Sequence, residues 1–524
     1  MAEALAKSPP PPSPGQLAFV ESPAYKWWVT WTMMLGAFLF ALDTTIVNLA
    51  IPKIMTSLSA DPNQIQWVLI VYMIGMAVVM PTVGWLSDLV GYKWLYTGSL
   101  ALFTCSSALC GMAWSPHSLI VFRLLQGFGA GAIAPTSMAV IFRVFPPEQR
   151  GLALGINSLG WTFGPILGPM LGGYLTEMIS WRMIFSINVP LGIIGVGMAV
   201  TIMAADLSDR RPRRLDLLGL GTMATWVVTL LLALSRGNIE GWNSQYILSL
   251  FGAAGSFLVL FLVVEIYVRE PLIDLHLYRN PTYATATLVG GLLSFGLYSS
   301  GLLMTLFLQD FLEYTALQAA TLMLPGVLLS GALSPLAGKL SDQLNPRLLL
   351  CFGFLTSAAS TYWFALMDLR TEGATIVWAQ VVRAGINFVF PPLHLLALRT
   401  LAREEVGAAS GLLNITRQIA GMGGIALATV LLERWHYVHH LTGSEHLALS
   451  WGGVEPTQRA LEGVLQSGGD AGGLLQIKVQ AALSRYLTQE SLVIGFQDTF
   501  IVVTLIFAAA ITSLCIPGGM GKKP

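Results

Sequence analysis

Pro81-Thr-Val-Gly84-Trp-Leu86-Ser87-Asp88 recurs 254 residues later as Pro335-Leu-Ala-Gly338-Lys-Leu340-Ser341-Asp342. Each copy closes a long apolar run and is followed by a basic residue and a second apolar run. Two copies of one junction imply a duplicated bundle of membrane helices, an arrangement used by carriers that alternate between two faces of a bilayer.

Composition points the same way. The 524 residues are 54% hydrophobic and only 11% charged. Soluble chains carry about 25% charge, so this chain has too little polar surface to face water and must face lipid over much of its area. Its 53 glycines suit close helix packing in a membrane. A net charge of zero removes the electrostatic case for nucleic acid. Cys105, Cys110, Cys351 and Cys515 lie in apolar runs without metal-ligand spacing and read as small packing residues. No signal peptide is expected. Residues 1–25, with Pro9-Pro10-Pro11-Pro12, read as a disordered cytoplasmic tail.

A span needs about 20 mostly apolar residues. Fourteen such runs are expected, near 28–50, 65–86, 94–113, 117–141, 151–175, 184–205, 216–235, 245–267, 283–309, 316–340, 347–367, 374–398, 407–432 and 493–515. With the N-terminus in the cytoplasm, the inner segments hold 17 Lys and Arg, while the short outer loops hold only Lys53, Arg182, Arg236 and Arg370. This positive-inside bias places both termini in the cytoplasm. The expected fold is all-α and integral to the membrane: a six-helix bundle over 26–207, two extra spans over 208–270 that carry no repeat element, and a second six-helix bundle over 271–524. Gly151 and Gly155 match Gly407 and Gly411, and Arg123 in the fourth span is matched by Arg383 in the twelfth. Residues 433–491 read as a long outer loop. In it His436, His439 and His440 invite a metal reading, but nothing fixes a ligand geometry, and a solvated loop is the plainer reading. Leu474–Gln489 reads as a separate amphipathic helix.

Four motifs in order resemble the major facilitator superfamily over about residues 28 to 515. Gly84-x-Leu86-x-Asp88-x-x-Gly91-x-Lys93 is similar to its loop signature, and Arg123-Leu-Leu-Gln126-Gly127-x-Gly129 to its fourth-span motif. Gly164-Pro165-x-x-Gly168-Pro169-x-x-Gly172-Gly173 resembles the fifth-span antiporter motif. Leu42-Asp43-Thr44-Thr45-Ile46-Val47-Asn48-x-Ala50-x-Pro52 resembles the first-span motif of the fourteen-span drug:proton antiporter branch, the EmrB/QacA type. Leu89 and Tyr92 depart from the loop signature, which has basic residues there. The second copy has Asn345-Pro346 where the first has Gly91-Tyr92.

The resemblance implies a proton-coupled exporter of amphiphilic or lipophilic small molecules such as drugs, in the plasma (inner) membrane, with protons as coupling ion and no cofactor or metal. It also implies a periplasmic membrane-fusion adaptor and an outer-membrane channel if the host is Gram-negative, with the long outer loop as docking candidate. Gly84, Asp88, Gly91, Lys93 and Asp342 would form an inner latch between the halves. Asp88 would accept hydrogen bonds from a helix N-terminus, where the dipole favours negative charge, and Lys93 would pair with acidic groups or lipid phosphate. Gly164, Gly168 and Gly172 fall on one helix face that lets another backbone approach, and Pro165 and Pro169 bend that helix. With Gly173 they would form either a rocking interface or a static packing face.

Asp43 is the sharpest residue, because a carboxylate inside an apolar span is costly. Counted along their helices, Asp43 and Arg123 both lie about 10 Å below the outer edge and can meet. Burial disfavours the charged carboxylate and the arginine favours it, so its protonation becomes sensitive to which face is open. A fixed structural ion pair is the alternative. Candidate cavity residues are Asn48, Gln126, Trp161 and Arg383 with Asn387, together with Asn414, Arg417 and Gln418. Arg123, Arg383 and Arg417 make the cavity net positive and suggest anionic or neutral lipophiles as cargo; as structural groups they would instead satisfy carbonyls at helix kinks. His394 reads as a packed inner-end residue. No Gly-x4-Gly-Lys-Ser/Thr loop is present, which argues against an ATP-driven pump. A lipid or lysolipid carrier of the same fold is the alternative function. A membrane enzyme is disfavoured by the lack of a nucleophile–base or metal constellation at one depth.

Overall fold

The computed structural model describes residues 21–204, 216–268, 271, 275–402, 404–449 and 473–514. Most of the expected tail, Arg210–Arg214, Gly468-Gly469 and Cys515 lie outside the described residues. Among the described residues every regular element is helical. The first group of helices is α1 (Tyr25–Leu58), α2 (Pro62–Val79), α3 (Val83–Val90), α4 (Tyr92–Gly111), α5 (Pro116–Val144), α6 (Arg150–Met178) and α7 (Asn188–Ile202). Then come α8 (Leu217–Glu240) and α9 (Gln245–Tyr267). The last group is α10 (Pro281–Leu306), α11 (Ala316–Gln343), α12 (Pro346–Ala365), α13 (Gly373–Arg383), α14 (Phe390–Leu398), α15 (Val406–Leu449) and α16 (Gly473–Leu514).

Each expected span falls on one helix or on two joined by a tight 3₁₀ turn: α2 and α3 across Met80–Thr82, α13 and α14 across Ala384–Phe388. Twelve of these units are long and apolar enough to cross a membrane. The helices α4 and α6, placed on the third and fifth expected spans, do not reach that apolarity. Helix starts are set by local chemistry. Asp61 with Gln64, Ser115 with Ser118 and Thr315 with Gln318 close reciprocal capping boxes on α2, α5 and α11, satisfying donors the first turn leaves orphaned. The two copies of the repeated junction turn by different means. Gly91 takes φ 83°, a region glycine enters freely. Asn345 instead caps α12 by accepting from the Arg347 N–H, with Pro346 at the first helical position.

Over its described residues, 433–449 and 473–491, the expected outer loop is helical. α15 and α16 run 44 and 42 residues, about 65 Å each at 1.5 Å per residue, roughly twice a bilayer's hydrocarbon thickness. Neither contains a proline, so nothing ends them at the membrane edge. They run alongside each other: His439 Nε2 meets Asp498 Oδ2 at 2.7 Å, and Ser491 Oγ meets His436 Nδ1 at 3.1 Å. The expected separate helix at Leu474–Gln489 is the first part of α16, and residues 450–472 lie outside the described residues.

The two groups meet at the end that carries Asp88 and Asp342, here called the latch end. There α6 crosses α11 so closely that a methyl group at Gly338 would fall 3.0 Å from the Gly151 carbonyl carbon and the Gly155 Cα. One at Gly84 would fall 2.9 Å from the Ala408 Cβ of α15. Ser410 Oγ donates to the Pro135 carbonyl of α5 at 3.0 Å. α15 packs on α3 and on the Met80–Thr82 turn, but α2, the far part of the same span, packs on α5 and α8 instead. The groups therefore converge at the latch end and diverge toward the opposite, far end. In a cysteine-free background, Ser334→Cys should label slowly with a maleimide, and adding Gly338→Leu should raise its labelling at least tenfold by forcing the α6–α11 crossing apart. Equal labelling in both would show that the crossing does not seal this end.

Candidate functional site

Asp43, Arg123, Gln126 and Asn188 come from α1, α5 and α7 and are at most 1% exposed. Arg123 donates through Nη1 to Asp43 Oδ2 at 2.7 Å. Gln126 Nε2 and Asn188 Nδ2 donate to Asp43 Oδ1 at 2.9 and 3.0 Å. Arg123 also donates to Gln126 Oε1 at 2.8 Å, and its guanidinium lies 4.0 Å from the Tyr72 ring centroid. Asn188 Nδ2 reaches Ser107 Oγ at 3.2 Å. The expected meeting of Asp43 with Arg123 is thus observed. Gln126, expected in the substrate cavity, belongs instead to this sealed cluster, because it sits at i+3 from Arg123 and so on the same face of α5. Asn188 and Ser107 were not legible as partners. The one signal is that Asn188 is a polar residue in an apolar run. Two atoms of the cluster, Asn188 Oδ1 and the Tyr72 hydroxyl, are buried without a hydrogen-bond partner among the described residues.

At the latch end the second copy of the repeat makes the bonds anticipated for the first. Asp342 accepts from the N–H groups of Gly151 at 2.7 Å and Leu152 at 2.9 Å, the first turn of α6. A carboxylate there satisfies orphan donors and meets the positive end of the helix dipole. Asp88 is half-buried in α3. Lys93 Nζ lies 5.8 Å from the Trp94 ring centroid and forms no ion pair with a described acid. Tyr92, which departs from the family pattern, is buried under the Arg143 guanidinium at 4.8 Å, with its hydroxyl against Gly407 of α15.

The glycine motif of α6 needs a correction. Gly164, Gly168 and Gly172 pack on Ala41, Leu42, Thr45 and Ile46 of α1, inside the first group. The close approach between groups belongs to Gly151 and Gly155. Gly164 follows Gly155 by nine residues, about two and a half helical turns, so it points the opposite way. Pro165 is exposed and no neighbour lies within 4 Å of a methyl at Gly173. Pro169 lies within α6.

Of the cavity candidates, Asn48 is exposed and Trp161 packs on Phe40 at 4.8 Å between ring centroids. Asn387 does not pair with Arg383: it sits in the 3₁₀ turn and donates to the Ala384 carbonyl at 3.3 Å. Asn414 reaches across the groups to Met138 Sδ at 3.6 Å, and Gln418 is buried. Arg417 donates through Nε to Ser294 Oγ at 3.1 Å, and its Nη1 lies 3.2 Å from His394 Nε2. His394 Nδ1 in turn meets the Phe390 carbonyl at 2.7 Å. Arg383 donates to Ser300 Oγ at 2.9 Å and, at 3.4 Å, to the Leu297 carbonyl. His394 is thus a partner of Arg417 as well as a packed residue.

Breaking a buried ion pair by removing one partner costs about 3–5 kcal/mol, because the other charge is left uncompensated. Arg123→Leu should therefore lower thermal stability in detergent by that order. Asp43→Leu in the same background should restore part of it, since both charges are then gone. Additive losses in this double-mutant cycle would show that the two do not interact.

Residues 33–425 match the family model described as Major Facilitator Superfamily. The Fatty acid resistance protein FarB of Neisseria gonorrhoeae is 32% identical, over 92% of this chain and 94% of its own length. The Multidrug export protein EmrB of Escherichia coli K12 is 29% identical, over 90% and 91%. Among solved structures, the human organic anion transporter MFSD10 superposes with a TM-score of 0.63 at 12% identity, over 94% of this chain and all of that one. The proton:xylose symporter XylE gives 0.56, also at 12%, over 93% and 96%; at this identity both show the fold. The chain belongs to the Major Facilitator Superfamily, in the drug:proton antiporter branch of the EmrB export proteins, and is a multi-pass membrane transporter.

Proposed function

We propose that this chain is a proton-coupled exporter of amphiphilic or lipophilic small molecules, working by alternating access with no cofactor. The observation that carries the reading is the Asp43 cluster: a carboxylate with no exposure, held by a guanidinium and two amides from two other helices. The relatives' names, multidrug export and fatty acid resistance, supply the cargo class. With the latch end and both termini in the cytoplasm, as the Lys and Arg bias suggests, the divergence between the groups faces outward. Segments 26–207 and 271–524 are then the rocking halves, with 208–270 inserted between them.

In this reading a proton enters from the outside and adds to Asp43, which loses its charge and its claim on Arg123. α1 carries Asp43, and its Ala41–Ile46 stretch rests directly on the glycines of α6. The opposite face of α6 forms the crossing with α11 that Asp342 caps. A change at Asp43 therefore reaches the latch through one tightly packed helix pair. When the latch opens, the proton leaves inward and cargo enters. An adaptor on the projecting α15–α16 pair, with an outer-membrane channel beyond, belongs to the same proposal for a Gram-negative host.

In proteoliposomes, Asp43→Asn should abolish uptake driven by a pH gradient while gradient-free counterflow of cargo persists, because the side chain keeps its size but cannot cycle a proton. Undiminished gradient-driven transport in this variant would remove Asp43 from the coupling.

A further inference from the structure

The three arginines at membrane depth are not equivalent. Arg123 is 1% exposed and paired with a carboxylate. Arg417 and Arg383 make no ion pair with any described acid, and both keep partial exposure. A guanidinium has five N–H donors. Arg417 uses one on Ser294 and one toward His394, and Arg383 bonds only Ser300 and the Leu297 carbonyl, through one nitrogen. Most of their donors are left for something else, and none of their nitrogens is a sealed, unpartnered atom. A charge only partly open to water and without a counter-ion is unfavourable, so each site is open to an anion that no described carboxylate supplies.

Their position says where that anion would come from. Along α15 the contacts with the first group run from Gly407 and Ser410 to Asn414. Arg417 comes next, about one turn beyond the last of them and on the far side of that contact zone. Ser294 and Ser300 lie on α10, which runs from the latch end toward the far end, so Arg383 stands about 9 Å further along the way out. Arg383 ends α13 where the helix gives way to the 3₁₀ turn Ala384–Phe388, irregular backbone that is tolerated at membrane depth because it is buried in protein. Ser294 bonds the Arg417 Nε and His394 meets its Nη1, so among the described residues its Nη2 carries no bond. A planar guanidinium presented by its edge matches a carboxylate in two parallel hydrogen bonds.

We propose that Arg417 is the head-group anchor for an amphiphilic organic acid, taking its carboxylate on the far side of the contact zone, and that Arg383 is a second cation on the same route toward the far end. This rests on the transport reading above but not on its coupling step. The apolar tail of such a ligand would start beside Phe390, whose ring centroid lies 5.2 Å from the Arg417 guanidinium.

Equilibrium binding to the purified full chain in nanodiscs, without any gradient, tests the proposal independently of Asp43. The probes are laurate, dodecanol and dodecyltrimethylammonium, which share a tail and differ in head group. The wild-type chain should bind laurate at least tenfold more tightly than dodecanol. Arg417→Gln should remove that preference, Arg383→Gln should reduce it, and dodecyltrimethylammonium should bind all three proteins alike or the variants better. Arg417→Lys, which keeps the charge without the planar edge, should fall between wild type and Gln. Equal binding of laurate and dodecanol by the wild type would overturn the proposal even if no variant folded, and so would full retention of the laurate preference in Arg417→Gln. Loss of gradient-driven transport in Asp43→Asn, or its persistence, leaves these outcomes unchanged.

Discussion

Everything in this structure hangs on how closely two helices can cross at one end of the bundle. Gly151 and Gly155 of α6 lie against Gly338 and Ser334 of α11, with backbone facing backbone. Across the molecule, Gly407, Ala408 and Gly411 of α15 lie against Tyr92, Gly84 and Met80. The pairing is crosswise: each copy of the repeated octapeptide rests on the glycine pair that belongs to the other half. Such contacts depend on small residues and shape, since lipid offers no hydrophobic drive for one helix to seek another. Asp342 adds a directional lock by bonding two N–H groups at the start of α6.

The same reasoning separates two uses of buried charge. In the first half, charge is neutralised internally: Asp43, Arg123, Gln126 and Asn188 satisfy one another across three helices. A proton is the one ligand small enough to change that balance without opening the cluster. In the second half Arg383 and Arg417 answer, among the described residues, to hydroxyls, an imidazole and a carbonyl, which leaves them open to the anionic head group proposed above. The duplicated fold has thus been loaded asymmetrically. Arg123 and Arg383 occupy matching spans, yet one faces a carboxylate and the other a serine.

The sequence carried the architecture because membrane helices announce themselves by length and apolarity, and because duplication leaves echoes such as Gly151/Gly407. The meeting of Asp43 with Arg123 followed from depth counting alone. What it could not carry was helix azimuth. Gly164 and Gly155 look alike in a motif, and only the phase of the helix assigns one to α1 and the other to α11. Asn188 was hidden for a similar reason: a single amide in an apolar run has no periodic partner to reveal the face it occupies. The two ends of the 433–491 segment, 433–449 and 473–491, were hidden because polar residues suggested a loop, whereas their helices run on through the absence of proline and the side-by-side pairing of α15 with α16, not through lipid.

The two inserted helices close the argument. α8 packs on α2 in the first group and on α15 in the second. On the first side, Arg236 lies 5.3 Å from the Trp67 ring centroid while bonding Glu240 at 3.1 Å. Since α2 leaves α15 above the Met80–Thr82 turn, α8 occupies the wedge that this divergence creates. A helix seated on both groups cannot follow both when they move. One of its two faces must slip. The face toward α2 carries the cation–π contact of Arg236 with Trp67, which fixes direction as well as distance. In the alternating-access reading proposed above, the insert should therefore travel with the first group, and the α8–α15 surface is where the second group would slide past it.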